Sequence, residues 1–161
     1  MPDLTIYCSS KVRQLWPDPL ADTWASLYPQ LFDEDDLRTT RKQGKYHFAE
    51  WFAAIHLFHQ EGSFSLVEKY DCSNHPRKQR LLPRILGSSQ LDTLYDIIRP
   101  RRVQPPDLLV YSPDLSSFRF VEVKGPRDRL LDRQRETHRL IEQRMGVAVQ
   151  VVAVALVPAA A

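Results

Sequence analysis

The sequence predicts a mixed α/β domain, a central sheet flanked by helices, and three stretches predict it. Residues 105–126 hold two short apolar runs around a Ser/Pro-rich gap, which reads as a β-hairpin. Residues 129–157 hold an amphipathic helical pattern, then Gly146, then a β-branched run from Val147 to Val157. Residues 40–60 form a helix that is apolar almost all round and must be buried. At 161 residues, 43% apolar and 26% charged, the chain suits one domain with a substantial core.

Residues 1–39 read as an N-terminal extension with short helices. Pro17, Pro19 and Pro29 break any long helix, while Trp16, Trp24, Leu27, Tyr28, Leu31 and Phe32 offer packing anchors. The run Asp33-Glu34-Asp35-Asp36 reads as an acidic surface turn, with metal binding the rarer reading, or instead as a cover for the basic region or a protein partner. The central helix is expected from Thr40 and Gln43 to His59, capped by Thr39 or Thr40 and ended by Gly62. Glu50 lies inside its apolar run and needs a partner, because an unpaired buried charge is costly. His56 and His59 share a face of it with no evident third metal ligand, and His47 sits nearby.

Residues 63–70 read as a strand, with Glu68 a rival to Glu50 for an acidic role. A turn at 71–76 precedes a basic helix from Arg77 to Leu86, broken or kinked near Pro83, and a second helix from Gln90 to Ile98. Charge is unevenly spread although the net is +2. Residues 1–36 carry two basic and seven acidic side chains (−5), and residues 73–102 carry seven basic and two acidic (+5). Arg77, Lys78, Arg80, Arg101 and Arg102 in this basic block are candidates for holding a nucleic-acid backbone.

In the hairpin, Asp107 opens the first strand, and Glu122 and Lys124 end the second. Strand side chains alternate, so Glu122 and Lys124 share a face opposite Val121 and Val123. Two carboxylates converging in apolar surroundings repel each other, and a divalent cation relieves that repulsion. Asp128 is expected to cap the helix from Arg129 to Met145, whose inward face carries Leu130, Gln134, His138 or Thr137, Ile141 and Met145. Arg127, Arg129 and Arg133 lie near the same mouth.

Pro106-Asp107, a 14-residue gap and then Glu122-Val123-Lys124 resembles the PD-(D/E)XK nuclease superfamily. The longer string Phe120-Val121-Glu122-Val123-Lys124-Gly125-Pro126-Arg127-Asp128-Arg129-Leu130, followed by Gln134, is similar to its VRR-Nuc branch. The resemblance implies a restriction-endonuclease-like core over residues 40–157, with a tail at 158–161. It implies a metal-dependent DNA endonuclease selective for branched or junction DNA in repair or recombination, leaving 5′-phosphate and 3′-hydroxyl ends. In it Asp107, Glu122 and the Val123 carbonyl bind Mg²⁺ or Mn²⁺, with Glu50 completing the outer coordination. Lys124 positions or deprotonates the attacking water, and Gln134 supports the site. Other readings are a DNase toxin or effector of the same family, and a non-catalytic DNA-binding module with the same fold. Homodimerisation is an implied possibility. The N-terminus shows no basic flank before an apolar core, so a cytoplasmic protein is expected, or a secreted one if it is an effector. Cys8 and Cys72 read as free thiols.

Overall fold

The computed structural model describes residues 1–72 and 74–159. Ser73, in the expected turn, and Ala160 and Ala161, in the expected tail, lie outside the described residues. The elements run β1 (Leu4–Ser9), α1 (Ser10–Gln14), α2 (Leu20–Leu27), α3 (Glu34–Lys42), α4 (Phe48–Glu61), β2 (Phe64–Val67), α5 (Pro76–Leu86) and α6 (Ser88–Arg101). They continue with β3 (Leu108–Tyr111), β4 (Phe118–Lys124), α7 (Asp132–Met145) and β5 (Val149–Val157). The strands form one sheet in the order β1-β5-β4-β3-β2. The β1–β5 and β5–β4 pairs are parallel, and the β4–β3 and β3–β2 pairs are antiparallel. This is the mixed sheet between helices that the sequence predicts. Among the described residues no helix is long and apolar enough to cross a membrane.

Alternation along the strands divides the core into two. Leu108, Val110, Val121, Val123, Val152 and Val154 pack with α4, and Leu109, Tyr111, Phe120 and Val149 pack with α5, α6 and α7. Ser112 Oγ accepts from the backbone N–H groups of Ser116 and Ser117 at 3.1 and 3.0 Å, closing the β3–β4 turn. Gly62 ends α4 in the left-handed conformation, as expected.

Three local expectations are corrected. The helix expected from residue 40 is two helices, α3 and α4, with Gly44 in the loop between them. Thr39 and Thr40 lie inside α3 rather than capping α4. Asp33 caps α3: its carboxylate accepts from Asp36 N at 2.9 Å, and the Asp36 carboxylate accepts from Asp33 N at 3.0 Å. Likewise α7 starts at Asp132, after Asp128 has turned back to accept from Gly125 N at 3.2 Å. Third, α5 is one helix through Pro83, which removes the break from the expected break or kink there.

The N-terminal segment contains the expected short helices and also a strand that the sequence reading missed. β1 continues the sheet from Leu4↔Val152 to Ser9↔Val157, burying Ile6 and Cys8. Phe32 stacks on Trp51 of α4, ring centroids 3.8 Å apart and 4° from parallel. The acidic run does cover part of the basic region. Asp36 Oδ1 and Lys78 Nζ pair at 2.6 Å, and Arg77 donates to the carbonyls of Leu31 and Gln30.

Lys78 is only 2% exposed, so its role is structural and the expectation that it holds nucleic acid is corrected. Removing one partner of a buried ion pair leaves an uncompensated charge. Lys78→Ala is expected to lower stability by about 3–5 kcal/mol in urea unfolding. The exposed Arg80→Ala is expected to stay within about 0.5 kcal/mol of wild type.

Candidate active site

The β3–β4 register sets the site. Leu108 pairs with Val121, so one step outward Asp107 meets Glu122 on the same face. Asp107 Oδ2 accepts from Val123 N at 2.8 Å, and the Asp107 carbonyl accepts from Glu68 N at 2.8 Å. The carboxylate is thereby held across the mouth of the hairpin while its backbone ties in the end of β2. Tyr70, fully buried, donates to the Pro106 carbonyl at 2.7 Å and steadies the approach to β3. Sequence reasoning missed that contact.

The α7 side supplies a closed set of bonds. Gln134 Nε2 donates to Glu122 Oε1 at 2.7 Å, and Gln134 Oε1 accepts from Lys124 Nζ at 2.9 Å and from Leu131 N at 3.0 Å. Lys124 Nζ also lies 3.1 Å from Glu122 Oε1. The chain Lys124–Gln134–Glu122 fixes the orientation of all three groups, since reversing the amide would set donor against donor and acceptor against acceptor. Glu122 is 3% exposed, and its second oxygen, Oε2, faces His138.

Glu50, from the first turn of α4, approaches from the other side with His47 and Glu68. One ligand atom from each of these three lies within 4.8 Å of the others, and His47 Nδ1 contacts Glu68 Oε2 directly. Glu50 and Glu68, rivals on sequence grounds, are therefore neighbours. His47, Glu68 and Lys69 all have positive φ (78°, 41° and 44°), so both segments carry backbone strain where they meet the site. A cavity of about 180 Å³ is lined by His47, Glu50, Glu68, Lys69 and Asp107. A second, of about 220 Å³, lies between Asp107, Glu122, Arg133, Gln134 and His138. Asp107 lines both.

These carboxylates are costly together. Burial, and then the charges of Glu122 and Glu50, push the Asp107 carboxyl well above its ordinary range. Burial, and then Glu68, push Glu50 up to about 7. A divalent cation suits this oxygen-rich set: among the described residues Asp107 Oδ1 has no hydrogen-bond partner, and only Oδ2 is engaged by backbone.

The remaining expected residues are spread more widely. Arg133 reaches the cavity beside Asp107 and Glu122. Arg102, Arg127 and Arg129 are exposed on the approaches, and Arg80 is exposed on α5. Arg101 is exposed too, with one guanidinium nitrogen on the Ile97 carbonyl of its own helix at 3.0 Å. Arg77 is engaged with the Leu31 and Gln30 carbonyls, which corrects its expected role in gripping a backbone. His59 is bonded to the Tyr28 hydroxyl at 2.8 Å, away from this site.

A family model described as the VRR-NUC domain matches residues 33–156. A search of curated proteins found no match. Among the solved structures that match is one described as paFAN1 bound to 2nt 5′-flap DNA with gap, with 22% identity and a TM-score of 0.43. That alignment covers 86% of this chain and 23% of the other, so the chain spans about a quarter of that structure's length.

Glu50 makes stability depend on pH. Its carboxyl sits at about 7 in the fold against an ordinary 4.5, so its contribution is complete below about 4.5 and is lost as pH rises through 7. With chelator present, urea unfolding is expected to show stability falling between roughly pH 5 and 8, on the order of 3 kcal/mol from this residue. Glu50→Gln is expected to flatten that slope. A wild-type profile level across the range would contradict the placement of Glu50 in a carboxylate cluster.

Proposed function

The chain belongs to the VRR-NUC domain family, and on that premise we propose that it is a divalent-metal-dependent DNA endonuclease centred on Asp107, Glu122 and Lys124. The observation that carries this reading is their joint geometry. Two carboxylates, buried Glu122 and half-buried Asp107, face one cavity, and the ammonium beside them is held in place by Gln134.

Asp107, Glu122 and the Val123 carbonyl would hold the ion, with Glu50 extending the oxygen set on the α4 side. Such an ion, when bound, polarises a phosphoryl oxygen and lowers the pKa of a water. The protein's own groups do the rest. Lys124, anchored on Gln134 and Glu122, presents its remaining N–H to the attacking water and orients it toward phosphorus. Gln134 keeps Lys124 from collapsing wholly onto Glu122 by sharing its hydrogen bonds. Helices α4 and α7 both begin beside this site, and their N-terminal dipoles favour a phosphate there. Arg133 at the cavity mouth, with Arg127 and Arg129 nearby, supplies charge for the flanking backbone. The sequence resemblance supports branched or junction DNA as the substrate class, and a role in repair or recombination.

Plasmid nicking with Mg²⁺ or Mn²⁺ tests the centre. Lys124→Ala is expected to lose roughly 10²–10⁴-fold in rate, the range for removing a group that assists proton transfer. Gln134→Ala is expected to lose about 10–100-fold, as for a residue that orients a ligand group. Circular dichroism should show both variants folded. Activity of Lys124→Ala equal to wild type would remove that residue from the mechanism. On labelled duplex, flap, splayed-arm and four-way-junction DNAs, cleavage is expected to concentrate on the branched substrates. Equal cutting of plain duplex would contradict structure selectivity.

A further inference from the structure

We infer that His138 is a nitrogen ligand of the ion held by Asp107 and Glu122, and that the site therefore prefers a first-row transition ion such as Mn²⁺ to Mg²⁺. The inference rests on the metal-binding reading above and adds a residue to it.

His138 lies one helical turn beyond Gln134 on α7, so both project from the same face. Glu122 Oε1 is taken by Gln134 and Lys124, which leaves Oε2 as the oxygen facing the cavity. The group beside Oε2 is His138 Nε2, 3.5 Å away. That distance is too long for a good N–H···O bond, which spans about 2.7–3.2 Å. It does match two donors on a shared ion, each at about 2.1 Å from the metal and so roughly 3–3.5 Å from each other.

His138 is 8% exposed, and among the described residues neither ring nitrogen makes a hydrogen bond. The ring thus keeps a nitrogen free to bind a ligand. It lines the same cavity as Asp107, Glu122 and Gln134. An imidazole added to carboxylates gives a mixed nitrogen and oxygen set, which first-row transition ions accept, whereas Mg²⁺ favours oxygen ligands.

The experiment is calorimetric titration of the full chain with Mn²⁺ and separately with Mg²⁺, paired with pulsed EPR of bound Mn²⁺ in protein carrying ¹⁵N-histidine. Wild type is expected to bind Mn²⁺ at least tenfold more tightly than Mg²⁺ and to show ¹⁵N coupling. His138→Leu is expected to lose the coupling and weaken Mn²⁺ binding about tenfold or more, leaving Mg²⁺ binding within about twofold. The wild-type EPR result needs no variant, so it decides the matter even if His138→Leu fails to fold. Binding that Glu122→Gln abolishes but that shows no nitrogen coupling in wild type would overturn the role of His138 alone. Coupling lost in His47→Gln and kept in His138→Leu would overturn it as well, moving the nitrogen ligand to the α4 side. No binding of either ion would overturn this inference together with the metal site beneath it.

Discussion

The bond from Val123 N–H to the Asp107 carboxylate is the constraint on which the site depends. A carboxylate at the start of a strand is ordinarily free to turn to water. Here it reaches across to the neighbouring strand, and the Asp107 carbonyl accepts from Glu68 on the other side. Three strand ends are thus tied at one residue. The antiparallel register then leaves Glu122 no direction but the same face, because a one-residue slip would send it to the α4 side.

Tying acidic groups together in this way has an electrostatic cost, and the surrounding structure distributes it. Lys124 and Gln134 offset the charge of Glu122 from the α7 side, and His47 contacts Glu68 on the other. What they leave uncompensated falls on Asp107 and Glu50, whose carboxyls are both raised, first by burial. A site built this way is poorly satisfied by protein groups alone, which is the condition that favours uptake of a cation. The left-handed conformations of His47, Glu68 and Lys69 belong to the same bargain, since relaxing either segment would withdraw a member of the His47–Glu50–Glu68 cluster.

Much of this was legible in the chain. Alternating apolar runs predict the β3–β4 hairpin, and period-two alternation sets Glu122 and Lys124 on one face. Helical periodicity turns Gln134 inward. Other parts were not legible, for specific reasons. β1 is six residues long and finds its partner, β5, nearly the whole chain away, so no local pattern marks it as part of the sheet. The expected central helix splits at residues 43–47, where His47 takes a left-handed conformation, and the start of α3 rests on Asp33 and Asp36 bonding each other, which a run of four acidic residues does not reveal. Lys78 reads as one more charge in a basic block, and its burial follows only from the way α3 docks on α5.

What the sequence by itself determined are the quantities that repeat along the chain: element types, the facing of side chains within each element, and the spacing of the acidic and basic residues of the hairpin. Tertiary structure alone decided which elements meet. It brought Glu50 and Glu68 together from α4 and the end of β2, directed His138 at the open oxygen of Glu122, and turned Arg77 and Lys78 inward to the N-terminal segment. The physical reason is range. Backbone periodicity is set by neighbours a few residues apart, whereas a buried charge is placed by whichever distant groups can satisfy it once the core has closed.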